Sequence, residues 1–387
     1  MDLKSLENKK ILLFGKPRAF SYDEFISQLK SLSIEVVHKY SNDVSLVIDG
    51  KMMTPYEQNF SDELYEENAI KALSIDIFEI ELAKCIDDDI LLMSLKLSRD
   101  KNRLKSFIQN STISDGLFFK LVRMYNWHGE DFFENDDNRD VSAAFILRFY
   151  KNIERNHNVQ FATTGFSHLV AQTDSEVLLR EISNLEPIKF HPRIKVTIAM
   201  NEFCSTSMQK QFYTTGGENI YQALSLNKNL DIFLIEKFFD NEELMQNIAK
   251  SIKLNDKLFE LLSNFYLYLA KNQTLTPIMQ NILLDKEDKD INNVLASNNQ
   301  IEVDIFEKLF NLEDEDIKFT LYKNSVTPKE LLVNAYKDER YHSSLAINEN
   351  TPIDILYQLQ LDRRYERDVK TNPAFGKHIQ SENIGWL

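Results

Sequence analysis

A short frame ending in asparagine recurs through the second half of the chain, and that recurrence limits how the polypeptide can bury its apolar surface. The copies are Ile198-Ala199-Met200-Asn201, Leu224-Ser225-Leu226-Asn227, Leu269-Ala270-Lys271-Asn272, Leu295-Ala296-Ser297-Asn298, Leu321-Tyr322-Lys323-Asn324 and Leu345-Ala346-Ile347-Asn348. Val369-Lys370-Thr371-Asn372 closes the series, and a degenerate copy, Ile248-Ala249-Lys250-Ser251, stands between Asn227 and Asn272. Successive steps are 26, 24, 21, 26, 26, 24 and 24 residues. A self-similar period on this scale marks units that cannot bury an apolar face alone and gain a core only by stacking.

The second part of each unit repeats as well. Thr276-Pro277, Thr327-Pro328 and Thr351-Pro352 follow the asparagine and precede apolar stretches such as Glu330-Leu331-Leu332-Val333. Threonine as N-cap with proline at the first helical position is a helix start signal, because the cap oxygen takes an orphan N–H and proline has none. Asp231 and Asp304 stand in the same role in two other units. Acidic tracts close the units (Asp285 to Asp288, Glu313 to Asp316, Asp338-Glu339), where they favour the start of the next helix. Asparagine tolerates the left-handed conformation and bonds its own backbone, which suits a tight turn between helical segments. Asn201, Asn227, Asn272, Asn298, Asn324, Asn348 and Asn372 are therefore assigned structural roles. Only 9 glycines and 8 prolines occur in 387 residues. A sandwich or barrel needs turn residues more often than that, so the chain reads as mainly helical.

This array resembles the leucine-rich repeat variant family, whose units look like N-x-x-T-P followed by a leucine helix. The resemblance implies two helices per unit and a right-handed superhelix, an α-solenoid over residues 191–387. That family can carry an iron–sulfur cluster beside its repeats. Two cysteines, Cys85 and Cys204, are too few for one, so no cofactor is expected. An isolated copy, Phe107-Ile108-Gln109-Asn110 with Leu117-Phe118-Phe119, places the start of helical repeats near residue 90. Residues 89–190 then form a helical region of divergent repeats.

Residues 1–88 have another character. Ile11-Leu12-Leu13-Phe14-Gly15 is a short apolar run ended by glycine, which reads as a buried strand. Ser21 and Glu24 make a capping box before a helix carrying Phe25, Leu29 and Leu32. Ile34 to Val37 and Val44 to Ile48 are further strands, Phe60 to Tyr65 a second helix, and Ala72 to Ile75 a fourth strand that enters a helix from Asp76 to Cys85. The order β-α-β-β-α-β-α predicts a small α/β domain on a four-stranded parallel sheet. Its order, the strand and glycine at Ile11 to Gly15, and Leu73-Ser74-Ile75-Asp76-Ile77-Phe78 resemble a BRCT domain, with Phe78 where the family usually has tryptophan. Two departures stand out. Leu32-Ser33 replaces the family's Gly-Gly turn, and Phe14 occupies the place of its phosphate-binding Ser or Thr. Gly15, Lys16, Arg18 and Lys51 are candidates for meeting a partner or a phosphate at the carboxyl edge of the sheet. They match neither a P-loop nor a dinucleotide fingerprint. Lacking a hydroxyl at Phe14, the module is expected to bind protein without needing phosphate.

The formal charge is −15, from 45 basic and 60 acidic side chains, which argues against nucleic acid as a partner. The N-terminal apolar run is too short for a signal peptide, no window reaches membrane-spanning length, and the unpaired cysteines suit a reducing compartment. A cytoplasmic location is expected. One region concentrates side chains that bear chemistry: Trp127-His128-Gly129-Glu130-Asp131, Glu134, Asp136, Asp137, Asp140, His157 and His168. Carboxylates near histidines can hold a divalent metal or supply an acid/base pair. Here they follow no metal-binding spacing, and Asp136-Asp137-Asn138 equally caps the helix opening at Val141. The sequence therefore points to a non-enzymatic scaffold or adaptor that binds protein partners through a solenoid face and the BRCT-like module. A metal-dependent enzyme using residues 125–168 is the alternative.

Overall fold

The computed structural model describes residues 3–66, 70–150 and 162–382, and the chain divides into two compact units, Met1–Lys195 and Val196–Leu387. His157, one of the candidate residues, lies outside the described residues.

The first unit opens with β1 (Lys10–Phe14), α1 (Tyr22–Ser31), β2 (Glu35–Val37), β3 (Val44–Asp49), α2 (Pro55–Glu66), β4 (Ala72–Ser74) and α3 (Ile75–Lys84). All pairings are parallel in the order β2-β1-β3-β4, with Ile11 opposite Val36 and Leu46, and Ile48 opposite Leu73. β1 is buried from Ile11 to Phe14, as a strand in a covered parallel sheet must be. Leu12, Phe14, Val44, Val47 and Leu64 share one core, and Phe25 of α1 meets Phe78 of α3 at 5.9 Å. α2 starts at Pro55 rather than Phe60, because Thr54 and Glu57 form a reciprocal capping box just before it. At Ser21 the box closes on one side only. Its hydroxyl takes Glu24 N, while the Glu24 carboxylate turns to Arg103 at 2.8 and 3.2 Å. Ser33 adopts φ 57° in the turn between α1 and β2.

Among the described residues the helices that follow include α4 (Asp88–Ser98), α5 (Lys101–Gln109), α6 (Asp115–Met124), α7 (Asp136–Phe149), α8 (Ala162–Gln172) and α9 (Glu176–Ser183). Phe118, Phe145 and Phe166 pack ring on ring at 5.3 Å spacings, so the aromatic content of this region forms its core. Among the described residues every strand lies between Lys10 and Ser74, and the rest is helix and turn. No helix among them is long and apolar enough to cross a membrane.

The second unit is a helical repeat array, an α-solenoid. Its helices at 218–225, 242–251, 266–269, 289–296, 315–323, 342–347 and 366–371 stack each on the next, with a second helix between successive members. The first residue of each frame is the anchor. Leu224, Ile248, Leu269, Leu295, Leu321, Leu345 and Val369 are all fully buried.

The asparagines form a ladder. Asn298 donates through Nδ2 to Ala270 O (2.9 Å) and Asn272 O (2.8 Å), and its Oδ1 accepts Gln300 N. Asn324 repeats this one unit on, bonding Ala296 O, Asn298 O and Val326 N. Asn348 and Asn372 do the same with Tyr322 O and Asn324 O, and with Ala346 O and Asn348 O. Asn227 reaches Ala199 O and Asn201 O, and Asn272 reaches Ala249 O and Ile252 O. Asn201, the half-buried first member, accepts Phe203 N. At the degenerate copy a main-chain bond, Lys253 N to Lys228 O, takes the place of a side-chain rung.

Two local expectations are corrected. The ladder asparagines are not left-handed: Asn324, Asn348 and Asn372 have φ of −76°, −68° and −66° in extended conformation. From an extended turn the carboxamide does both: Oδ1 takes the local amide two residues on, as expected, while Nδ2 crosses the repeat boundary. Thr276 does cap its helix, accepting Met279 N at 3.3 Å. Thr327 and Thr351 instead donate backwards, to Leu321 O and Leu345 O, and their helices begin after the proline at Lys329 and Ile353. Carbonyls in the last turn of a helix are short of main-chain donors; the buried threonine hydroxyl supplies one, which at Leu321 O adds to the N–H of Asn324. Asp231 caps as expected, whereas Asp304 sits inside the first turn of the helix at 303–310.

Candidate functional site

Gly15, Lys16, Arg18 and Lys51 do come together at the carboxyl edge of the sheet. Lys16 and Lys51 exchange main-chain bonds of 2.8 Å in both directions. Gly15 sits at φ +65°, and a Cβ there would lie 2.4 Å from Lys51 O, so the close approach requires glycine. Three carboxylates from this chain occupy the edge. Asp76 takes Arg18 at 3.0 Å and Lys51 at 2.7 Å, and its pKa is lowered mainly by the hydrogen bond from Lys51. Glu57 accepts Gly15 N at 3.2 Å while capping α2 through Thr54, and its pKa is lowered by those donors, Thr54 first. Glu79 is almost completely buried, at 1% exposure, and accepts the successive amides of Arg18, Ala19 and Phe20 at 2.9–3.2 Å. A run of N–H groups turned towards one anion is the geometry that binds phosphate in other proteins. Here it is filled from within. Phe14, where a hydroxyl would be needed, is buried against Phe60 at 6.1 Å.

Glu57 and Glu79 escaped the sequence reading. Thr54-Pro55-Tyr56-Glu57 carries a legible capping signature. Glu79 carries none, since its donors lie 59 to 61 residues away.

The acidic and histidine-rich stretch is likewise distributed among structural partners. Asp137 pairs with Lys101 at 2.8 Å and Lys105 at 2.7 Å, and Lys105 also reaches Asp140 at 2.9 Å. Asp131 binds the ring of His191 at 2.5 Å, and that ring stacks on Phe132. Asn135, not Asp136, caps α7, and the buried Asn138 takes the hydroxyl of Tyr125 at 2.8 Å. Burial is the main cause that pushes the Tyr125 hydroxyl up to about 12. His128 is exposed at a turn with φ 56°, and His168 is exposed on α8. Among the described residues, no three histidine, cysteine, aspartate or glutamate side chains are grouped as a metal site would require.

The Lys105 pairing has a pH signature. Hydrogen bonds from Lys101 and Lys105 lower Asp137 to about 2, below the ordinary carboxylate value. The pairing therefore stabilises the fold fully above the unfolded value near 4 and is lost as pH falls towards 2. The melting-temperature gap between wild type and Lys105→Met should be widest near neutrality and close over that acid window. A gap independent of pH would show that Lys105 acts through packing alone.

No protein-family model, no curated protein and no solved structure matches this chain.

Proposed function

We propose that the chain is a non-enzymatic interaction protein, a cytoplasmic scaffold or adaptor that holds protein partners on its repeat array and on a BRCT-like N-terminal module. The observation that carries this reading is a set of exposed apolar side chains at equivalent places in the array. Ile232 and Val303 stand five residues after their ladder asparagines, and Phe233 and Ile278 stand six after theirs. They are 55%, 70%, 42% and 72% exposed, respectively. The unit between them, at the degenerate copy, carries Asp256 and Lys257 at these places, so the exposed apolar positions form two groups, Ile232 with Phe233 and Ile278 with Val303. The corresponding residues of the later units are Lys329, Glu330, Asp354 and Ile353, the last half-buried against the core, which confines the exposed apolar positions to one part of the array. Exposed apolar side chains on adjacent units, as at Ile278 and Val303, are places where partners dock. The element order β-α-β-β-α-β-α supports the BRCT-like reading. The paired helices with their Asn-Thr-Pro turns support the leucine-rich repeat variant reading. Glu57, Glu79 and Asp76 at the sheet edge support partner binding without phosphate, and Cys85 and Cys204 outside any disulfide suit a reducing compartment.

Crosslinking in cells followed by purification tests it. The Ile278→Glu, Val303→Glu double variant should keep the wild-type melting temperature, since both side chains are exposed, and lose partners that the wild type retains. Partner recovery equal to wild type would remove these positions from the proposal. Stoichiometric metal in protein purified without added ions would favour the metal-dependent enzyme instead.

A further inference from the structure

α4 turns an apolar stripe away from its own core. Leu91 and Leu95 are its buried side chains, and Met93 stands on the opposite side of the helix, 58% exposed. Ile90 and Leu97 lie a turn before and a turn after Met93, 69% and 77% exposed. Spacings of three and four put the three on one face with the period of a coiled-coil seam. Asp89 and Lys96 are exposed as well. At 3.6 residues per turn they fall together on one flank of Met93, and Ile90 and Leu97 fall on the other. Asp88, next in the chain, binds Lys120 at 3.0 Å, whereas among the described residues neither Asp89 nor Lys96 makes a salt bridge.

The order of charge along this flank selects a partner. When two copies of one helix pack antiparallel about a two-fold axis, each flank meets the same flank of the other copy. Asp89 of each copy then faces Lys96 of the other, and Ile90 faces Leu97. Parallel packing would instead set the charged flank of one copy against the apolar flank of the other. The face is therefore complementary to itself, in one orientation.

We infer that α4 is a self-association surface, on which two copies of this chain pack antiparallel with Met93 beside the two-fold axis. The apolar stripe supplies the attraction, and the two Asp89–Lys96 pairs fix the orientation. An 11-residue helix is only roughly 16 Å long, so the seam is short and the dimer is a transient one of micromolar affinity. The seam uses no residue of the array, so it stands whether or not the array binds partners.

Sedimentation velocity of the full chain, over a concentration series reaching the high micromolar range, tests it. The expected result is a monomer–dimer equilibrium. Leu97→Glu should keep the wild-type melting temperature, because the side chain is exposed, and raise the dissociation constant about tenfold or more. Lys96→Asp sets a carboxylate against Asp89 of the other copy at both ends of the seam. It should raise the constant about fivefold at low ionic strength and less in high salt. The Asp89→Lys, Lys96→Asp double variant restores both pairs with their signs exchanged and should recover most of that loss. A wild type that stays monomeric throughout, a dimer indifferent to Leu97→Glu, or a double variant no tighter than Lys96→Asp would overturn the inference. A monomer that captures a different protein through this stripe would give the face to that protein and overturn it too. The Ile278→Glu, Val303→Glu protein should dimerise as wild type does, so failure of the seam and failure of the array are told apart.

Discussion

Asn324→Asp is expected to destabilise the array by about 4 kcal/mol at neutral pH, roughly twice the effect of Asn324→Ala, on the scale of a buried charge left without its partner. The carboxamide is 4% exposed, donates to Ala296 O and Asn298 O at 2.8 and 2.9 Å, and accepts Val326 N at 3.0 Å. Alanine leaves those three groups unpaired but opens room for water to reach them. Aspartate keeps the volume and turns an oxygen towards two carbonyl oxygens, so like partial charges face each other around a buried carboxylate. Its folded pKa must then rise above the unfolded one. The extra loss is present above the folded value and is relieved as pH falls, because a protonated carboxyl can donate to one of the two carbonyls. Urea unfolding at neutral and acid pH, with Asn324→Ala as reference, reads this directly. Aspartate and alanine variants of equal stability at both pH values would show that the rung contributes volume and not hydrogen bonds.

Glu79→Ala is expected to cost about 3–5 kcal/mol, because it strips the acceptor from three successive buried or half-buried amides. Those amides, of Arg18, Ala19 and Phe20, lead directly into the Ser21 cap of α1, so the loss should spread into that helix. Glu79→Gln keeps one oxygen acceptor and should lose less. Native-state hydrogen exchange should show the amides of residues 18–20 opening in Glu79→Ala while those of the array stay protected. Unchanged protection at residues 18–20 would mean that the turn holds itself without the carboxylate.

How far the sequence could be read follows from how far apart the interacting residues are. The Asn frame was legible because it repeats, and repetition marks Leu224, Leu295 and Leu345 as anchors without any structure. Its chemistry was less so. Asparagine's turn propensity suggested a left-handed turn, which is absent, and a local bond, which Oδ1 makes to the amide two residues on; that Nδ2 reaches 24 to 28 residues back in the regular rungs is a distance no propensity encodes. Thr327 and Thr351 look like caps in sequence and act on the helix behind them. Gln209 and Gln280 left a trace that could have been used. Both stand eight residues after a ladder asparagine, at the place where Leu332 and Leu356 fill the core of later units. A glutamine in that register has to satisfy itself inside. Each does so by bonding the next unit, Gln209 at Asn229 O and Asp231 N, Gln280 at Gln300 O and Glu302 N. At the sheet edge, the convergence of Lys16, Arg18 and Lys51 was legible, but Asp76, Glu57 and Glu79, which answer them and the adjoining amides, come from separate elements.

The rungs impose very little on what they hold. Every acceptor is a main-chain carbonyl: one belongs to an alanine except at Tyr322, and the other to the preceding ladder asparagine except at Ile252. What the carboxamide holds is the carbonyl and not the side chain, so Tyr322 and Ile252 can stand where the other units have alanine and asparagine. A gene encoding such units can gain or lose a whole one by unequal recombination, because any unit's turn can receive any other unit's carboxamide. The exposed side chains of each copy are then free to diversify, so the length of the array and the identity of what it binds evolve along separate lines.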